Sequence, residues 1–151
     1  TIAEDMQAVR SALESQASEL GITEVPPLVA MIETPAAALC VPEILRFADG
    51  ISLGTNDLAQ YTMVAGRQNP LVQQYFQDDH PVVLRLLRLA VAEAADTLVA
   101  ACGELAGQPT AVPILLDAGV RVLSVAPPLV PVIKEAVRNP LDWTNDRAGQ
   151  S

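Results

Sequence analysis

The residues of this chain best suited to chemistry follow short apolar runs. Ile51-Ser52-Leu53-Gly54 leads into Thr55-Asn56-Asp57, an amide beside a carboxylate. Met31-Ile32 leads into Glu33-Thr34-Pro35, and Ala100-Ala101 into Cys102-Gly103-Glu104. A buried strand that delivers polar groups at its carboxyl end is how parallel-strand folds assemble active sites. Glu33 and Asp57 would then be two carboxylates converging from neighbouring strands. Such a pair, with coordination positions left open, suits a hard cation such as Mg²⁺, with waters and a phosphate completing the octahedron. The competing readings are plain ones: Asn56 or Asp57 capping the next helix, and Glu33 as a solvated loop residue.

Other polar residues carry weaker signals. Arg67 lies ten residues beyond Asp57. It could fork onto a phosphate or carboxylate, or simply sit exposed in its loop. Cys102, next to Gly103, could donate a proton as well as attack. A buried core cysteine is the usual case, and Cys40, within a helical stretch, is read that way. His80 precedes Pro81 and reads as a helix cap. Glu104 is a supporting carboxylate or a charge at a helix N-terminus. Ser124 ends the last apolar run.

The elements that must position these residues alternate. Apolar steps of three and four from Ile2 to Leu20 predict an amphipathic helix over 2–20, stopped by Gly21. Pro26-Pro27 launches a strand at 28–32, apolar without alternation, as a strand buried on both faces would be. Thr34-Pro35 predicts a capped helix start, and Pro42 a kink or a second helical piece. A second strand covers 51–53. Residues 58–77 are polar, carry Gly66 and Pro70, and resist assignment. A helix is expected over about 81–95, with Val83, Leu87, Ala90, Val91 and Ala94 inward. A strand at 97–101, a helix at about 109–118 and a strand at 120–125 follow. Pro127-Pro128 opens a last helix with Leu129, Val132, Ile133, Ala136 and Val137 on one face. A polar tail, 139–151, is expected to be loose. A helix followed by four strand–helix units predicts an α/β domain with a parallel sheet, either half of an eight-unit barrel or an open doubly wound sheet.

Bulk composition narrows the function classes. The chain has 151 residues, enough for one domain with a real core, and 3% aromatic content makes that core aliphatic. Net charge is -9, with no basic tract or aromatic platform, which argues against nucleic acid. No apolar run is long enough for a membrane span, and no secretion signal opens the chain. Cys40 and Cys102 are too few for a disulfide framework and suit reduced thiols in the cytoplasm.

Three segments together carry a family resemblance. Met-Ile-Glu-Thr-Pro-Ala-Ala-Ala at 31–38, Ser-Leu-Gly-Thr-Asn-Asp-Leu-Ala-Gln-Tyr-Thr at 52–62 and Cys-Gly-Glu-Leu-Ala-Gly at 102–107 resemble the phosphoenolpyruvate-utilising enzymes. Gln60-Tyr61-Thr62 and Leu105-Ala106 are most similar to the enzyme I branch of the bacterial sugar phosphotransferase system. The similarity runs from about 22 to 138. It implies a TIM-type (βα)₈ barrel, of which this chain corresponds to the second half. In that family phosphoenolpyruvate gives its phosphoryl group to a histidine on a separate domain, in a system with a phosphocarrier protein, and leaves as pyruvate. By position, Glu33 and Asp57 would be Mg²⁺ ligands, Asn56, Asp57 and Arg67 would hold phosphoenolpyruvate, and Cys102 would protonate the enolate carbon. The family's first-half arginines and its phosphohistidine motif have no counterpart here, so the chain is expected to be a piece of a longer enzyme, inactive alone. Gly66 and Gln108 stand where the family usually has Asp, and Pro42 interrupts its helix.

The family dimerises through this domain, and a half barrel has raw edges at 28–32 and 121–125. A homodimer is therefore expected, through those edges or through the helix face at Leu84, Leu86 and Leu89. Two other functions remain open: a metal-dependent pyruvate-enolate aldolase, and a dimerisation module without catalysis.

Overall fold

A computed structural model describes residues 2–66 and 68–139. Four parallel strands form one sheet in chain order, β1 (Val29–Ile32), β2 (Gly50–Gly54), β3 (Leu98–Cys102) and β4 (Val122–Leu123). The registers run Val29 opposite Gly50, Gly50 opposite Leu98, and Ala100 opposite Val122. Helices connect each strand to the next, giving the α/β alternation expected and a sheet that is half of a TIM-type barrel and does not close on itself. No described helix is long and apolar enough to cross a membrane.

The core lies between the sheet and the helices on its outer side. Ala30 and Ile32 of β1, Ile51 and Leu53 of β2, and Val99 and Ala101 of β3 point there and are buried. They meet Ala37, Ala38, Val41 and Ile44 from two short helices, α2 (Pro35–Ala38) and α3 (Val41–Leu45), and Leu58 from α4 (Thr55–Met63). Leu87, Ala90, Val91 and Ala94 of the α5 (Pro81–Glu93) region and Leu115 of α6 (Val112–Asp117) complete the cluster. Burying each aliphatic side chain contributes about 1.5–3 kcal/mol relative to exposure. A separate small cluster joins Val112 to Ile133 and Ala136 of α7 (Val130–Arg138).

The opposite face of the sheet is open. Val29 is 50% exposed, Met31 37%, Leu98 58% and Val122 41%. The expectation that β1 is buried on both faces is thus met on one face only, because none of the described residues covers Val29 and Met31 on the inner side.

Local signals explain most element ends. Thr34 Oγ1 accepts from Ala37 N–H at 3.2 Å, with Pro35 at the first helical position. His80 Nδ1 accepts from Val82 N–H at 3.2 Å and caps α5 as expected. The helix α1 (Ala3–Glu19) buries only Met6 and Ala17. Arg10 fastens it by donating to Phe47 O at 3.0 Å and to Asp49 at 2.6 Å.

Several expectations need correction. Cys40 is not a core helical residue; it is half-buried at the break between α2 and α3, where Pro42 starts the second piece. Leu84 is buried, so only Leu86 and Leu89 remain toward the outside. The strand expected over 120–125 is reduced to Val122–Leu123, opposite Ala100 and Ala101. The unassigned stretch holds α4 and a 3₁₀ turn at Gln73–Tyr75. Arg67 and residues 140–151, including most of the expected loose tail, lie outside the described residues.

Candidate active site at the carboxyl ends of the strands

Parallel pairing brings the ends of three strands into one row. Gly54, the last residue of β2, faces Cys102, the last residue of β3. On the other side Glu33 follows Ile32, which pairs with Leu53. A methyl group on Gly54 would lie 2.9 Å from Glu33 Cβ, 3.1 Å from Met31 Sδ and 3.3 Å from Glu33 Oε2. Only glycine leaves the space in which the Glu33 carboxylate lies over the end of β2. Cys102 Sγ reaches the same place from the far side, 3.8 Å from Met31 Sδ, 3.8 Å from Ser52 Oγ and 3.6 Å from the Leu53 carbonyl.

The turn after β2 is interlocked with the turn after β3. Thr55, the one buried polar residue among those described, donates from Oγ1 to Cys102 O at 2.8 Å. Asn56 Oδ1 accepts from Glu104 N–H at 2.9 Å. Gly103, between those two partners, has φ +97°. A methyl group there would collide with Thr55 Oγ1 and lie 3.0 Å from Asn56 Oδ1. Asn56 therefore does not cap α4. Its side chain bridges to the next strand and holds the Cys102-Gly103-Glu104 turn. The Thr55 contribution escaped the sequence reading; the only cue was a small hydroxyl between a strand-ending glycine and the amide.

Asp57 lies in the first turn of α4, where the exposed N–H groups favour negative charge. Among the described residues neither Glu33 nor Asp57 takes part in an ion pair. No group of three or more His, Cys, Asp and Glu is arranged for a metal among those residues. Glu33 lies over Gly54 and Asp57 sits in the first turn of α4, two carboxylates near the same strand end. That fits a hard divalent cation which takes its other ligands from water and substrate.

A cavity of about 500 Å³ opens beside this row, lined by Asn56, Cys102, Gly103, Glu104, Gln108 and Ser124 with the apolar Val125 and Leu129. Ser124 is anchored by its N–H to Ala101 O at 2.9 Å and lies exposed at the rim. Gln108 Nε2 donates to Asp78 Oδ2 at 3.1 Å. Burial raises the Asp78 carboxyl above its ordinary range, with further contributions from the charges of Asp79 and Glu104. His80 stays in its capping role, away from the row.

The similarities of the chain agree with this arrangement. Residues 1–141 match the model of the PEP-utilising enzyme, PEP-binding domain. A multiphosphoryl transfer protein of Rhodobacter capsulatus is 39% identical over 138 residues, 90% of this chain and 17% of that protein. A phosphoenolpyruvate-protein phosphotransferase of Haloferax volcanii is 40% identical over 140 residues, 89% of this chain and 25% of that protein. One from Cupriavidus necator is 43% identical over 110 residues, 72% of this chain and 19% of that protein. The chain thus spans a quarter or less of the length of these curated relatives. With a family match over nearly its whole length, and with parallel strand ends carrying the polar row, the chain belongs to the PEP-utilising enzymes, in their PEP-binding domain.

Proposed function

We propose that this chain, as one domain, supplies the phosphoenolpyruvate- and Mg²⁺-binding half of an enzyme I-type phosphotransferase of the sugar phosphotransferase system. The whole enzyme passes the phosphoryl group of phosphoenolpyruvate to a histidine on another domain and then to a phosphocarrier protein, in the cytoplasm, with release of pyruvate. The observation that supports this reading best is the row of Glu33, Gly54 and Cys102 at adjacent strand ends, with Asn56 and Asp57 in the turn that follows. Glu33 and Asp57 are the proposed metal ligands. A bound Mg²⁺ would supply neutralisation of charge on the phosphate and enolate oxygens. Asn56 Oδ1 holds Glu104 N–H, and its NH₂ is the proposed donor to a ligand oxygen. Asn56, Asp57 and Arg67 are the proposed contacts to phosphoenolpyruvate. Cys102 is the proposed acid: its thiol proton goes to the enolate carbon as the C–H bond of pyruvate forms.

Phosphoenolpyruvate with Mg²⁺ is expected to shift most the amide resonances at Glu33, Arg67, 54–58 and 102–104. A ligand that leaves those resonances unmoved contradicts the reading. The chain alone is expected to release no pyruvate, because misplacement of reacting groups by even an ångström costs about 100-fold. Release that disappears in Cys102→Ala would contradict the half-site part. Pyruvate formed from oxaloacetate would instead support an aldolase.

A further inference from the structure

Gln108 lies at the wall of the cavity and holds, through one hydrogen bond, a segment that its own strand end does not reach. The partner is Asp78, 30 positions earlier. Asp78 closes the long connection between α4 and α5, which leaves α4 through Val64 at φ 51°. A branched residue in the left-handed region is strained. The following turns, Asn69 O with Val72 and Gln73 N–H, are local and do not fix the segment against the sheet. The Gln108 amide joins this connection to the turn after β3.

The chemistry of the partner explains the amide. Asp78 is half-buried, and Asp79 and Glu104 are charged groups that face it. A neutral donor satisfies the Asp78 carboxylate without adding charge. A carboxylate in its place would set a second negative group directly against Asp78. Position 108 is one at which the chain departs from the family pattern, and the departure has a partner.

We infer that Gln108 is a positioning residue: its amide latches the 68–80 segment, through Asp78, to the cavity wall beside Cys102 and Glu104. This rests on the hydrogen bond and the topology, and stands apart from the phosphotransfer reading, because the latch can be read without any ligand.

Backbone hydrogen exchange on the full chain at neutral pH reads it directly. Gln108→Glu is expected to speed exchange at 72–79 about tenfold, the scale of losing one charge-assisted bond, with β1 and α5 unchanged. On acidification the carboxyl pair takes up a proton, a hydrogen bond returns, and the excess rate fades; a loss of packing alone would persist. The double variant Asp78→Asn with Gln108→Glu exchanges donor and acceptor and is expected to restore protection to within about twofold. Unchanged exchange in Gln108→Glu, or a double variant as fast as the single, would overturn the latch. If Gln108→Glu does not fold, Asp78→Ala reads the same bond from the other side, with the same expected acceleration and the same contrary result.

Discussion

The two faces of the sheet are built from similar residues and meet different surroundings. Ile32, Ile51, Leu53 and Val99 on the outer face are sealed under helices, while Val29, Met31, Leu98 and Val122 on the inner face meet solvent. The strands are composed for burial on both sides, yet the described residues cover only one. The polar row of the candidate site stands at the rim of the uncovered side. What this chain orders by itself is the outer half of the framework and the turns locked to it, and the inner side needs other surface to become a closed site.

The largest expected effect sharpens that contrast. Leu53→Ala should cost about 3 kcal/mol, through lost burial plus a cavity. Leu98→Ala, on the open face, should cost under about 1 kcal/mol. Urea unfolding of the two variants decides it. Equal costs would mean that the inner face is covered in solution. A homodimer joined at the sheet edges or at the helix face of Leu86 and Leu89, which leaves Leu98 open, is proposed beside it. Light scattering should then give a mass above the 16.0 kDa of one chain, and a dilution-independent single-chain mass would remove the dimer.

The next effect concerns the locked turns. Gly103→Ala puts a methyl group against Thr55 Oγ1 and into a left-handed backbone. It should cost about 2–3 kcal/mol and disturb the resonances of Thr55 and Asn56. A neutral Gly103→Ala would mean that the two turns are not interlocked.

How much of this was legible in the sequence follows from range. Strand positions were readable because Pro26-Pro27, Asp49-Gly50 and Gly103 punctuate unbroken aliphatic runs. The Thr34 and His80 caps were readable because each bond closes within three residues. Helix α4 was not, because Thr55–Met63 is mostly polar, and its buried side is only Thr55, Leu58 and Ala59. Asn56 was correctly singled out, but its bridge to Glu104 spans 48 positions and depends on the Gly54–Cys102 register. The same holds for the link between Asp78 and Gln108.

The smallest expected effect lies far from the site. The Arg10 hydrogen bond, then the Leu28 N–H bond, hold the Asp49 carboxyl below its ordinary value of 3.8. A lowered carboxyl contributes stability above its unfolded value and loses it as pH falls through the folded one. Arg10→Ala should therefore cost about 0.5 kcal/mol at neutral pH, small because the pair is solvent-screened. The part of the difference due to the Asp49 pair should fade as pH falls through the lowered folded value. A difference that persists below that value would point to lost α1 packing.

The central claim is that Glu33 and Asp57 form one cation site at the rim of the sheet. Calorimetric titration of Mn²⁺ into the parent chain and into Asp57→Ala tests it most directly. Weak 1:1 binding by the parent, absent in Asp57→Ala and in Glu33→Gln, is the predicted result. Binding of equal strength in parent and variants, or none in the parent even with phosphoenolpyruvate present, would contradict the claim.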